Sequence, residues 1–300
     1  MPLPKLIVIL GPTACGKSGL GVALAKQYGG EIVSADSRQV YRGLDLGTGK
    51  ITPEEMEGVP HHLLDVADPG ESFSVALFQD MAYQAIDGVL SRGNLPLLVG
   101  GTGLYLRAVA EGYVFHAAPP DPVLRSELEA LPTEALRDRL TQRGVELDED
   151  CYHNRPRLVR LLEKSLHGED PHAEAERRPK YDVLTLGVSY PRETVCERID
   201  ARLLARLDAG MLEEVAGLRK NGVSDEFLEG LGLEYRYILH YLTGAIPTEE
   251  ALIEELGRAI KRFAKRQVSW FKKDRDVHWL DMSGDPAGEA GGLIEEFLKH

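Results

Sequence analysis

The run Leu6-Ile7-Val8-Ile9-Leu10-Gly11-Pro12-Thr13-Ala14-Cys15-Gly16-Lys17-Ser18 sets the architecture of this chain. Five apolar residues lead into a glycine-bounded turn. The turn ends in Lys-Ser, and a helical pattern from Gly19 to Tyr28 follows. Strand, glycine turn, Lys-Ser and helix in this order form the P-loop arrangement. Its glycines let backbone amides converge on phosphate oxygens, and the helix N-terminus adds partial positive charge. Lys17 adds a full charge, and the Ser18 hydroxyl can ligate Mg2+. Gly11, Pro12, Thr13, Ala14, Cys15, Gly16, Lys17 and Ser18 are therefore a candidate diphosphate or triphosphate site. The bland alternative is a plain glycine turn beside an accidental lysine.

Working outward, apolar runs suited to buried parallel strands recur at Glu31–Ala35, His62–Val66, Leu95–Val99 and Asp182–Val188. Helical patterns lie between most of them, at Lys17–Tyr28, Val75–Leu90 and Leu104–Ala110. The alternation stops after Gly112, at the breaker Pro119-Pro120-Asp121-Pro122. A long helix-prone, charged stretch follows before the strand pattern resumes at Asp182. The expected fold class is α/β: a P-loop-type parallel sheet flanked by helices, with a helical insertion domain. The expected boundaries are residues 1–113 and 181–300 for the core and 114–180 for the insertion. Residues 193–220 read as helical, with Ile199, Leu203, Leu207, Val215 and Leu218 facing inward. Residues 248–273 read as a long helix, Ser283–Gly292 as a linker, and Leu293–Lys299 as a short terminal helix.

Composition narrows the function. Hydrophobic residues make up 43% of the 300, enough for a substantial core, and the net charge is −13. That charge argues against indiscriminate coating of nucleic acid but leaves room for a local basic surface. Cys15, Cys151 and Cys196 form no CxxC pair and have no metal-like spacing, which suits free thiols in a reducing cytoplasm. No apolar run approaches the ~20 residues that span a membrane, so no membrane partner is expected. The N-terminus runs straight into the first strand, leaving no room for a signal peptide.

In parallel sheets, ligands bind beyond the carboxyl ends of the strands. Asp36 follows the second strand directly. It could bind Mg2+ through water, act as a general base, or simply cap a turn. The run near Leu95 ends in Gly100-Gly101-Thr102, where a nucleoside triphosphatase would need an acid for Mg2+. Its absence weakens the ATPase and GTPase readings. It favours close ligand approach to backbone amides and the Thr102 hydroxyl, against the alternative of an ordinary strand-to-helix turn.

Between 258 and 275 stand Arg258, Lys261, Arg262, Lys265, Arg266, Lys272, Lys273 and Arg275, against one acid, Asp274. All but Arg275 fall within an arc of roughly 140°. Ile260, Phe263, Gln267, Trp270 and Phe271 take the other face. A second cluster, Arg155, Arg157, Arg160 and Lys164, has helical spacing. Each is either a solvated face or a polyanion footprint, and together they suggest two surfaces for one extended anion. His61-His62 lacks a partner pair for metal binding and reads as a strand start. Cys15, beside Lys17 and a helix N-terminus, is expected to have a lowered thiol pKa and to be open to oxidation.

The order of these segments resembles the tRNA dimethylallyltransferase (tRNA isopentenyltransferase) family. Gly11–Ser18, Asp36-Ser37-Arg38-Gln39-Val40-Tyr41, Gly43–Lys50 and His61–Asp65 carry the resemblance, with Val99–Tyr105 and Ala264-Lys265-Arg266-Gln267-Val268-Ser269-Trp270-Phe271. It spans about residues 5 to 281 and is far more specific than the phosphate loop alone. The resemblance implies transfer of a dimethylallyl group from dimethylallyl diphosphate to the exocyclic amine of the adenine next to the anticodon. It implies diphosphate binding by Thr13 to Ser18 with Mg2+ assisting, Asp36 as the base, and Thr13, Lys17 and Thr102 in the catalytic site. Asp36, Ser37, Arg38, Gln39, Thr102, Arg125 and the segment Pro156-Arg157-Leu158-Val159-Arg160 are implied tRNA contacts, joined by Lys261 and Lys265 of the basic face. A cytoplasmic monomer acting on the tRNA anticodon stem-loop is expected.

The chain departs from the family pattern at Ile260–Phe263, usually Thr-Arg-Gln-Tyr, and at Gly232–Arg236, usually Gly-Tyr-Lys-Glu. At Asn154–Arg157, Asp, Pro and Gln are commoner, and no zinc-finger extension is present. The rival readings are a small-molecule kinase, a prenyltransferase of free adenine nucleotides, and a non-catalytic nucleotide-binding module. The kinase reading explains the loop but not the basic helix.

Overall fold

The computed structural model describes residues 2–115, 122–173 and 176–300. The chain divides into two compact units, residues 1–112 with 179–300 and residues 113–178. The first unit begins β1 (Lys5–Leu10), α1 (Lys17–Tyr28), β2 (Gly30–Ala35), α2 (Pro53–Met56), β3 (His61–His62), α3 (Val75–Ser91), β4 (Leu95–Gly100) and α4 (Gly103–Ala110). The second unit holds α5 (Pro122–Glu129), α6 (Thr133–Gln142), α7 (Glu149–Tyr152) and α8 (Arg155–Leu166). The first unit then resumes with β5 (Asp182–Ser189), α9 (Arg192–Asp208), α10 (Met211–Lys220), α11 (Asp225–Leu231), α12 (Leu233–Leu242), α13 (Glu249–Phe271), β6 (Val277–Asp281) and α14 (Pro286–Lys299).

The six strands form one sheet in the order β3-β2-β4-β1-β5-β6, with every pair parallel. Central β1 explains itself: alternate side chains leave opposite faces of a strand, and here both faces are covered. Ile7 and Ile9 pack with Leu20 and Leu24 of α1 and Ile294 of α14. Leu6, Val8 and Leu10 pack with Phe78 and Ile86 of α3 and Leu106 of α4. A third core joins α9, α10, α12 and α13 through Ile199, Leu203, Leu207, Val215, Tyr235 and Leu256. The second unit closes on Leu136, Leu140, Leu158 and Leu162.

Several expectations are corrected. The strand expected at His62–Val66 shrinks to His61–His62, because Leu63 (φ 64°) and Asp65 (φ 55°) turn the backbone left-handed. The helical stretch 193–220 is two helices, divided at Gly210 (φ 101°). The expected linker 283–292 is mostly helix. Asp285 accepts the Gly288 amide and Pro286 opens α14, and these start signals outweigh the glycines. Strand β6 and helices α11 and α12 were not anticipated. Residues 119–121 of the proline breaker lie outside the described residues.

Candidate functional site

The loop between β1 and α1 lies at the carboxyl ends of the strands. Ala14 (φ 62°) and Gly16 (φ 80°) are left-handed, an arrangement that costs a non-glycine residue about 1 kcal/mol or more. Gly16 is the N-cap of α1, and no side chain among the described residues caps that end. Its first amides are thus open to an anion. Lys17 is half-buried and donates to the Pro12 carbonyl at 2.7 Å. Loss of water around its ammonium pulls it down to about 8, with Arg202 pressing the same way and Cys15 and Asp36 opposing. Ser18 is exposed in the first turn.

Cys15 corrects an expectation. Its side chain is fully buried, and burial raises the thiol pKa despite Lys17 and Arg198 nearby. Desolvation wins over the local charges, so this is not an activated thiol.

Two neighbouring turns join the loop. Asp36, just past β2, accepts the Arg38 amide at 2.9 Å through one carboxylate oxygen. The Thr102 hydroxyl, just past β4, accepts the Ser37 amide at 3.1 Å, and the Thr102 amide donates to the Ala35 carbonyl at 3.2 Å. The ends of β2 and β4 are thereby tied together, with Asp36 and Thr102 at their tips. Gln267 of α13 ties in the loop: it accepts the Thr13 amide and donates to the Gly101 carbonyl, both at 3.0 Å. Gln39 donates to the Gly49 carbonyl at 3.2 Å. Arg38 lies over the Phe263 ring, 5.5 Å from its centroid, and reaches Glu234 at 3.4 Å.

Three arginines of the site lie outside the sequence motifs. Arg198, Arg202 and Arg206 stand four residues apart on α9, along one face. Arg198 donates to the Ala14 carbonyl at 2.8 Å and Arg202 to the Gly49 carbonyl at 3.1 Å. Arg206 reaches Glu234 at 3.6 Å. Among the described residues no carboxylate lies within ion-pair distance of Arg198 or Arg202. Burial lowers Arg202 to about 10 and lowers Arg206 too, each with Asp36 among the opposing charges. The signal was present as a four-residue spacing within a stretch read only for its apolar face. Gln267 was likewise placed on a face without a role.

The basic residues differ in availability. Lys261 is paired with Asp200 at 2.6 Å and Arg258 with Glu254 at 3.2 Å. Lys265 is exposed. Arg262 and Arg266 line a cavity of about 290 Å³ with Arg236, His240, Tyr237 and Glu255. In the second unit, Arg125 pairs with Glu129 at 3.2 Å, Arg160 with Glu163 at 2.6 Å, and exposed Arg157 lies 3.9 Å from Asp148. Pro156 sits in the first turn of α8. Arg155 is spent on structure, bonded to the Glu129 and Leu131 carbonyls and to the Thr133 hydroxyl. Leu158 and Val159, expected among the RNA contacts, are corrected to core side chains, 0% and 1% exposed. Helical spacing turns them inward.

In a parallel α/β sheet, an uncapped helix N-terminus, a desolvated lysine and an aspartate at adjoining strand ends form a site suited to an anion. Comparison with known proteins is more specific. The family model described as IPP transferase matches residues 39–274, and that described as Isopentenyl transferase matches residues 4–68. The chain is 42% identical to a tRNA dimethylallyltransferase of Exiguobacterium sp., over 94% of this chain and 92% of the relative. It is 43% identical to tRNA dimethylallyltransferase 1 of Geotalea daltonii, over 97% and 95%. The full-length tRNA isopentenylpyrophosphate transferase of Bacillus halodurans superposes with a TM-score of 0.76 at 37% identity, over 98% of this chain and 97% of that one. A eukaryotic dimethylallyltransferase acting on tRNA gives a TM-score of 0.79 at 25% identity, over 99% and 80%. The chain belongs to the tRNA dimethylallyltransferase (IPP transferase) family.

Proposed function

We propose that this enzyme transfers a dimethylallyl group from dimethylallyl diphosphate to the exocyclic amine of the adenine next to the anticodon in tRNA, releasing pyrophosphate. The observation that carries the reading is the meeting of a phosphate-type loop with Asp36 and with Thr102, which stands just past β4 where a nucleoside triphosphatase would carry an acid. A kinase site holds its phosphate for transfer to an acceptor. Here the loop would hold a group that departs.

An allylic diphosphate loses its C–O bond with negative charge growing on pyrophosphate. The open amides of α1, the Lys17 ammonium and the Arg198 and Arg202 guanidiniums would stabilise that charge from fixed positions. The amide of Thr13 and the loop around it are held by Gln267. The adenine amine is a weak nucleophile because its lone pair is conjugated. The Asp36 oxygen remaining beyond the bond to Arg38 would take its proton as the C–N bond forms. Thr102 fixes the turn that carries Asp36, and its hydroxyl lies at the tip of β4. The adenine must leave its stack, at a cost of about a few kcal/mol, which is smallest in a single-stranded loop.

Mg2+ fits the donors present. Ser18 offers an exposed hydroxyl oxygen beside the phosphate-type loop and would hold the ion against a bound diphosphate. When bound, it would neutralise charge on the diphosphate. The exposed cations Lys265, Arg262 and Arg266, and exposed Arg157 in the other unit, are proposed RNA-backbone contacts, which half-buried Arg125 would join by exchanging Glu129. Lys261 would join them only by exchanging Asp200. Among the described residues no helix is long and apolar enough to cross a membrane. The three free cysteines accord with a proposed cytoplasmic setting, where the chain would act as a monomer.

The test is one incubation with carbon-labelled dimethylallyl diphosphate and either an anticodon stem-loop or AMP, and a parallel one with γ-labelled ATP. Label on the stem-loop adenine is expected. Label on AMP alone, or transfer from ATP, would refute the reading.

A further inference from the structure

Glu214, in the first turn of α10, spends its whole carboxylate on one loop and on Tyr235 of α12. One oxygen accepts the Asp45 amide at 3.0 Å and the Leu46 amide at 2.7 Å. The other accepts the Gly47 amide at 3.0 Å and the Tyr235 hydroxyl at 2.8 Å. Three successive amides converging on an anion form a nest of the kind that binds phosphate, and here the protein's own side chain fills it. The loop is gripped elsewhere too. Tyr235 is fully buried against Gly47, where a Cβ would come within 2.5 Å of the ring. The Thr48 hydroxyl donates to the Leu44 carbonyl at 2.6 Å. Lys50 donates to the Tyr41 carbonyl and to Asp45 and Asp65, at 2.5 to 2.9 Å.

The loop so fixed delivers one group to the site. The Gly49 carbonyl accepts both Arg202 from α9 and Gln39 from the turn that follows Asp36. It is the one carbonyl shared between the cationic face of α9 and that turn among the described hydrogen bonds. A shift of the loop would move an acceptor of Arg202 on one side and of Gln39 on the other. We propose that Glu214 is a positioning residue of the transferase: it locks loop 45–47 so that the Gly49 carbonyl aims Arg202 at the departing pyrophosphate and steadies the Asp36 turn. This rests on the transferase reading above, in which Arg202 meets the diphosphate.

A double-mutant cycle tests it, because residues acting through one another are not additive. Glu214→Gln, Arg202→Gln and the double variant are compared with wild type at a temperature where circular dichroism shows all four folded. Four quantities are read: kcat/KM for dimethylallyl diphosphate with a stem-loop acceptor, calorimetric affinity for inorganic pyrophosphate, stem-loop affinity, and Tm. Glu214→Gln should lower kcat/KM by about tenfold, leave stem-loop affinity within about twofold, and add less than about threefold when Arg202 is already changed. Arg92→Gln, which removes the two bonds that Arg92 donates to Glu31 near the start of β2, at 2.9 and 2.7 Å, is the structural control and should lower Tm with kcat/KM unchanged. If Glu214→Gln lowers Tm alone, or if its loss multiplies fully with that of Arg202→Gln, the proposal is overturned. Glu214→Asp, with its shorter stem, takes its place in the same cycle if the glutamine variant does not fold. A wild-type chain that fails to prenylate the stem-loop contradicts the transferase reading. The pyrophosphate affinities still decide whether Glu214 works through Arg202.

Discussion

The two ends of one sheet treat charge in opposite ways. At the amino ends of β2 and β4, Glu31 accepts two bonds from Arg92, at 2.9 and 2.7 Å, and one from Asn94 at 2.7 Å, and its carboxylate lies 2.7 Å from His62. These hydrogen bonds, Arg92 foremost, hold its carboxyl down at about 2 against the opposing effect of burial. At the carboxyl ends Arg38 and Arg206 share Glu234, but three other cations rest on carbonyl oxygens. Lys17 sits on Pro12, Arg198 on Ala14 and Arg202 on Gly49, and burial lowers the pKa of Lys17 and of Arg202. A carbonyl orients a cation but leaves its full charge for an anionic ligand, whereas a carboxylate neutralises it. Satisfied charge therefore marks the structural end of this sheet, and desolvated, carbonyl-held charge marks the working end.

Breaking the working end should have the largest effect. Lys17→Ala should lower kcat/KM by roughly 10³-fold, measured by prenyl transfer to the stem-loop, because it removes a preorganised charge from the leaving group. Asp36→Ala should lower kcat by roughly 10²-fold with stem-loop affinity nearly intact, as kinetics and binding together would show. The depressed Lys17 gives a pH signature. Its ammonium is present below about 8 and lost above it, so KM for the diphosphate should rise as pH passes through about 8. Bound diphosphate restores the proton, so calorimetry in buffers of different ionisation enthalpy should show proton uptake near that pH.

The structural end should respond in stability alone. Glu31→Gln should cost about 2–4 kcal/mol in denaturant unfolding and leave kcat/KM unchanged at a temperature where the variant is folded. The folded pKa of Glu31 lies below its unfolded value. Its contribution is therefore fully present above about 4.5 and is lost as pH falls toward about 2. The smallest effect is expected on the basic surface. Each of Arg262, Lys265 and Arg266 changed to Gln should reduce the salt slope of stem-loop binding by about one or less. Lys261→Gln should do less, since that lysine already has Asp200.

Local patterns carried much of this into the sequence. The β1 run, the turn and α1 are contiguous, so their chemistry shows without a fold. Asp36 and Thr102 were visible because a parallel sheet assigns ligands to strand ends. What needed tertiary structure was hidden. The α9 arginines acquire meaning only when Ala14 and Gly49 arrive from distant segments, and Glu214 only when loop 45–47 does. The sign of the Cys15 shift depended on burial among apolar neighbours, which a local count of charges omits. Leu158 and Val159 sit inside a segment that matches the family, but a segment of helix has an inner face as well as an outer one.

The most direct measurement is mass analysis of an anticodon stem-loop after incubation with the enzyme, Mg2+ and dimethylallyl diphosphate, with pyrophosphate assayed alongside. The predicted result is one C5H8 unit on the adenine next to the anticodon and one pyrophosphate released for each unit added, with both lost together in Lys17→Ala. An unmodified stem-loop, or pyrophosphate released without a C5H8 unit on that adenine, would contradict a site built to discard phosphate and keep the carbon chain.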